Sequence, residues 1–216
     1  MVIVIDEEAV RYMREKFKGL KHKVTIHLFT SKDNCPYCSE TEEIVRRVAE
    51  ESPLITISHY DDEESSREAE VMGVDKYPAI ILHGREEYNV RYFGAPMGLE
   101  FGALIDDIVD VSTGEPELPR DVWEEAAGIE EKVHIQVFTT PPCPYCPQMV
   151  REAHKLAVVN RNIIADMIEA LEFRELAMRY RVMAVPKTVI NEEIFIEGVV
   201  PIEVLVGKIR EGLKPR

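Results

Sequence analysis

With 216 residues the chain is long enough for one large domain or two of roughly 100 residues, and its 45% apolar content argues against disorder. The formal charge of −14 repels phosphate backbones and anionic lipid, which removes nucleic acid and membrane surfaces as natural partners. No apolar run approaches the roughly 20 residues of a membrane span, and the first eight residues lack the basic segment and cleavage site of a signal peptide, so a cytoplasmic location is expected.

Asp6 reads as the N-cap of a helix over 7–18 that buries Ala9, Val10, Met13 and Phe17 and stops at Gly19. Residues 23–30 form a buried strand, 31–34 a loop and 39–51 a helix carrying Ile44, Val45 and Val48. A strand over 54–60 and a helix over 63–72 follow, the acidic run 61–64 being its first turn. Residues 78–82 and 88–93 read as a hairpin, and 99–111 as a helix. The turn-rich stretch 112–119 is the candidate linker between units of residues 1–115 and 116–216. The order then recurs: helix 121–127, strand 132–139, helix 146–159, strand 162–168, helix 172–181, hairpin 186–190 with 193–197, and helix 202–212. Trp123 is expected to pack the first helix of the second unit onto its sheet.

The recurrence is in register. Lys23–Thr30 and Lys132–Thr139 share five of eight residues. From there an offset of 108 carries Cys35 to Cys143, Val74 to Val182 and Pro78 to Pro186, the mark of an internal duplication. Strands alternating with helices and closing in a hairpin predict a mixed α/β fold of two tandem units, each a four-stranded sheet flanked by helices.

The only four cysteines form two Cys-Pro-Tyr-Cys motifs, Cys35–Cys38 and Cys143–Cys146, each between a strand and a helix. Thiol–disulfide exchange needs a thiolate attacker and a second thiol that resolves the mixed disulfide. A helix N-terminus supplies N–H groups and a dipole that favour the anion, and such sites reach pKa values of about 3.5 to 7 against about 8.5 for free cysteine. Cys35 and Cys143 are therefore the expected nucleophiles, and Cys38 and Cys146 the less exposed resolving thiols. Pro36 and Pro144 are placed near the first helical turn, with Tyr37 and Tyr145 shaping the rim. One pair offers two ligands where tetrahedral zinc needs four. His154 is expected at the surface or a helix cap, His27 and His134 as structural residues, and Glu42, Glu43 and Glu169 as solvated charges.

Strand, motif, helix, and a proline opening a later strand together resemble the thioredoxin superfamily. The resemblance implies cis prolines at Tyr77–Pro78 and Val185–Pro186, with Tyr77 and Val185 presenting backbone to an extended substrate. The motif itself is similar to that of glutaredoxins, yet no Gly-Gly-x-Asp follows Pro78 or Pro186, and Lys32 has Thr140 as its counterpart, which speaks against glutathione. Two such units, each keeping its motif, resemble the protein disulfide oxidoreductases of hyperthermophiles. The 31% charged content and only two glutamines, Gln136 and Gln148, fit a thermophile.

The resemblance implies protein thiols and disulfides as substrates and a thioredoxin-reductase-like flavoprotein as electron source. No G-x-G-x-x-G occurs, and no cofactor or metal is expected. The alternatives are an electron carrier from a flavoprotein reductase to a peroxidase, with a peroxiredoxin as partner, and, in another class, a metal or iron–sulfur binding protein. The buried aspartate that thioredoxins use as a proton shuttle is replaced by Phe29 and Val137, so the shuttle has no candidate here.

Overall fold

The computed structural model describes residues 5–33, 35–61 and 65–213. Helix α1 (Glu7–Phe17) starts as expected: Asp6 accepts the Ala9 N–H at 2.8 Å, two glutamates fill the first turn, and Met13 and Phe17 are buried. Burying two such side chains is worth about 1.5–3 kcal/mol each. The first unit continues with β1 (Val24–Thr30), α2 (Cys38–Glu50), β2 (Ile55–Asp61), α3 (Ser65–Met72), β3 (Ala79–His83), β4 (Glu87–Phe93) and α4 (Glu100–Thr113). The second has α5 (Arg120–Ala127), β5 (Val133–Thr139), α6 (Cys146–Val159), β6 (Ile163–Glu169), α7 (Arg174–Arg179), β7 (Lys187–Ile190), β8 (Ile194–Glu197) and α8 (Ile202–Leu213). These are the two tandem thioredoxin-like units that the repeat implies.

Three expectations shift. Helix α4 runs past residue 111, because Ser112 Oγ accepts the N–H groups of Lys21 and His22 and donates to the His22 carbonyl, and Gly114 then caps it at φ +67°. Asp61 ends β2 rather than opening a helix, and the rest of that acidic run lies outside the described residues. Trp123 is only half-buried, and Val122 and Ala126 pack α5 into the core instead.

Among the described residues the two sheets merge into one of eight strands, in the order β2-β1-β3-β4-β6-β5-β7-β8. The joint is β4 against β6, parallel, with Val90 opposite Ala165 and Phe93 opposite Ile168. Register then aligns one row across the whole sheet: Tyr60, Phe29, Ala79, Phe93, Ile168, Phe138, Lys187 and Glu197. Strands β1 and β5 therefore point the same way and end at the same edge. Helices α1, α2, α4, α5, α6 and α8 share one apolar core on one face, continuous through both units, whereas α3 and α7 cover the other. The two motifs are four strand spacings apart along that edge, about 20 Å.

Candidate active sites

Both motifs sit in the turn from strand to helix. After β1, the disulfide Cys35–Cys38 closes with a Cα–Cα distance of 5.4 Å; after β5, Cys143–Cys146 closes with 5.5 Å. Cys35 is half-buried and Cys38 buried; Cys143 is 7% exposed and Cys146 fully buried. The helices begin at the second cysteine of each motif: Tyr37 and Tyr145 are the N-caps, Cys38 and Cys146 the first helical residues, and Cys35 and Cys143, expected at the helix N-terminus, lie two residues before the cap. Pro36 and Pro144 thus precede the helix, and Pro147 takes the first-turn position in the second copy. The physics of the helix terminus survives at the second site, where the Cys146 N–H donates to Cys143 Sγ at 3.1 Å. At the first, the Cys38 N–H donates to the Cys35 carbonyl at 3.4 Å, and the Ser31 N–H to Cys38 Sγ at 3.3 Å.

The Tyr77–Pro78 and Val185–Pro186 bonds are cis. Both prolines are buried at the head of the strand beside the motif-bearing one, β3 next to β1 and β7 next to β5. Tyr77 and Val185 remain half-buried, while Tyr37 and Tyr145 stand exposed on the rim. Gly94 and Gly198 are equivalent: each has positive φ and donates its N–H to the carbonyl of its cis proline, at 2.9 Å.

Two acids, Glu100 and Glu169, lie buried near the motifs, and a third, Glu172, is half-buried beside Glu169. Glu100 is 2% exposed, and among the described residues neither of its carboxyl oxygens has a hydrogen-bond partner. Burial, then the nearby Asp107 carboxylate, pushes it up to about 8. Its helix, α4, runs beside α6. Gly98 lies against Pro141, just before the second motif, and farther along Asp107 reaches Arg151 and His154. With both helices rising 1.5 Å per residue, Glu100 is level with the first turn of α6, which Cys146 opens.

Glu169, expected as a solvated charge, is 3% exposed and raised by burial, and Glu172 beside it is pushed by burial up to about 7. The joint explains the difference: Asp61, at the matching end of β2, lies on an outer strand and is exposed, whereas β6 is covered by β4. His154 is also buried rather than superficial, its Nδ1 2.5 Å from Asp107 Oδ2 and its ring 4.9 Å from that of Tyr92. His27 is buried and lowered by burial to about 4, and His134, half-buried, pairs with the buried Asp166. Glu43 pairs with Arg46 on α2, and Glu42 is exposed. Among the described residues, no group of three or more His, Cys, Asp or Glu side chains is placed to hold a metal ion, and no helix is long and apolar enough to cross a membrane.

A strand–motif–helix turn facing a cis proline, present twice on one sheet, is the fold and site of a thioredoxin-like disulfide oxidoreductase. Residues 133–211 match the family model described as a thioredoxin domain. The structure is similar to that of a protein disulfide oxidoreductase from Aeropyrum pernix, with a TM-score of 0.90, 29% identity, and coverage of 98% of this chain and 94% of that one. It shares its fold with a structure of the alkylhydroperoxide reductase AhpF from Enterococcus faecalis, with a TM-score of 0.89, 21% identity, and coverage of 95% and 99%. Among curated proteins it is 28% identical to the alkyl hydroperoxide reductase AhpF of Staphylococcus aureus over 79% of this chain and 31% of that protein. The chain thus spans about a third of the length of the curated relatives it matches.

Proposed function

We propose that the chain exchanges disulfides with protein substrates at both motifs. What carries this reading is the pairing, twice over, of a C-x-x-C disulfide at a helix start with a cis proline on the adjoining strand. In the reducing direction the Cys35 or Cys143 thiolate attacks a substrate sulfur, and the substrate S–S bond breaks to release one thiolate. Cys38 or Cys146 then loses its proton and attacks the mixed disulfide. The second substrate thiolate leaves, and the motif closes as a disulfide. Pro36, Tyr37, Tyr77 and Pro78 border the first substrate position, and Pro144, Tyr145, Val185 and Pro186 the second.

Glu100 is the proton carrier of the second site: protonated while the disulfide is closed, it gives its proton to Cys146 when that sulfur is released and takes it back on resolution. Electrons come from a thioredoxin-reductase-like flavoprotein in the cytoplasm. The unit boundary lies at 115/116, between the Gly114 cap of α4 and Pro119, the N-cap of α5. The second reading, electron delivery to a peroxidase with a peroxiredoxin as partner, is favoured by the match to the alkyl hydroperoxide reductase AhpF.

The test is dithiothreitol-driven reduction of insulin by Cys35→Ser, Cys143→Ser and the double variant. Each single variant should keep part of the activity and the double variant none; full activity in the double variant would sink the proposal. The two sites should also differ in potential. A helix N–H donated to Cys143 Sγ stabilises that thiolate, and a charge-assisted bond of about 1.5–3 kcal/mol corresponds to about 30 mV or more. Glutathione-buffer titrations of the single-site variants should place the second site higher; equal potentials would contradict the asymmetry.

A further inference from the structure

Joining the units through β4 and β6 does more than extend the sheet. The C-terminal end of β6 comes level with Phe93 and with Ala79, the residue after Pro78. The segment that follows β6, residues 171–179 of the second unit, therefore stands across from the first motif. Between them runs a groove of about 890 Å³. One wall is Pro36, Tyr37 and the residues just before Pro78; the other is residues 171–179.

The far wall is anchored. Glu172 Oε1 accepts the Ala95 N–H at 2.8 Å. Gly94 leaves room for this contact, since a Cβ there would fall 2.6 Å from that of Glu169. Leu171, 57% exposed on this wall, faces a groove whose other rim holds the exposed Tyr37. Charges of both signs line the groove: Asp75 and Glu175 beside Lys76, Arg174 and Arg179, with Glu172, raised by burial to about 7, only partly ionised at neutral pH. Among the described residues the second site has no such neighbour, because β8 ends the sheet.

We propose that the first site works in a composite cleft whose outer wall, residues 171–179, belongs to the second unit, and that this cleft holds an extended polypeptide carrying the target disulfide. Apolar rims between charges of both signs suit a chain of mixed side chains rather than an ion of one sign. The volume is at the upper end of the roughly 300–1,000 Å³ of small-ligand pockets and open along its length, so it takes several residues rather than one small disulfide. The inference rests on the disulfide-exchange reading above and adds which substrates the first site selects and which residues select them.

The experiment uses full-length single-site variants: Cys143→Ser/Cys146→Ser keeps the first site, and Cys35→Ser/Cys38→Ser the second. Into each go Leu171→Glu and, separately, Arg179→Ala, both at exposed positions that leave the core intact. Turnover is measured with dithiothreitol on a linear peptide bearing one disulfide and on hydroxyethyl disulfide. With the first site alone, either change should raise KM for the peptide roughly 5- to 10-fold and leave hydroxyethyl disulfide unaffected. With the second site alone, neither substrate should respond. An unchanged peptide KM at the first site, or equal losses at both sites, overturns the cleft. Parent single-site variants that turn over neither substrate overturn the exchange reading itself, and the cleft with it.

Discussion

Asp166→Asn should cost about 3–5 kcal/mol of stability, the range for breaking a buried ion pair by removing one charge. Arg91 on β4 and Asp166 on β6 are register partners across the joint, with side chains 8% and 0% exposed. The guanidinium donates to both carboxylate oxygens, at 2.6 and 2.9 Å, and also to the carbonyls of Met72 and Gly73. His134 Nε2 sits 2.7 Å from the same carboxylate. The asparagine variant leaves Arg91 buried with half its fork unanswered.

Burial alone would raise Asp166, but the Arg91 charge and the bond to His134 outweigh it and hold the carboxyl at about 2. A folded-state value below the unfolded one means stability that is present above the unfolded value of about 3.9 and is lost as pH falls towards 2. Urea midpoints at pH 7 and pH 3 check both points: the variant should fall well below the parent at pH 7, and the gap should narrow at pH 3. A loss under 1 kcal/mol at pH 7 would mean that the pair does not hold the joint. The double replacement Arg91→Met/Asp166→Leu should recover most of the loss, since no buried charge is then left alone.

The joint also marks where the sequence stops being legible. The repeat, both motifs and both cis prolines can be read from residue identity and spacing, because each unit folds on local patterns: a period of two, then of 3.6, then a proline. Nothing local says that β4 will meet β6. The clue is a contrast between copies: after Ile55, the strand to Asp61 alternates half-buried and exposed residues, whereas its counterpart Ile163–Glu169 is buried almost throughout and still contains Asp166. An acid in a buried strand asks for a partner, but only the assembled sheet identifies it as Arg91. The misplacement of His154 and Glu169 has the same origin, since both are polar residues covered by the other unit.

Glu100 does leave a trace in the sequence. It shares a helical face with Ala103, Leu104, Asp107, Ile108 and Val111, all buried, so an acid stands on an apolar stripe. What the stripe cannot show is that α4 of the first unit runs beside α6 of the second, which brings this buried acid level with the start of α6.

Glu100→Gln should therefore act on one site only. In a Cys35→Ser/Cys38→Ser background, where the second site works alone, single-turnover reduction of Cys143–Cys146 should slow by about 100-fold, the lower range for removing a general acid or base. The parent rate should decline as pH rises through about 8, where Glu100 gives up its proton, and the glutamine variant should lose that limb. With the first site alone, the substitution should change neither rate nor profile.

Stability supplies an independent reading. The folded-state value of about 8 lies above that of an exposed glutamate, so the unfolded chain releases this proton first. The parent is thus most stable below about pH 4.3 with respect to this group and loses stability as pH climbs to 8. Glutamine cannot ionise, so the variant should match the parent near pH 4 and exceed it at pH 9 by a few kcal/mol at most, on the order of 1.4 kcal/mol for each pH unit crossed. A purely structural role would produce the gain in stability at high pH without the site-specific rate loss; the two together would assign the proton at the second motif to a residue of the first unit.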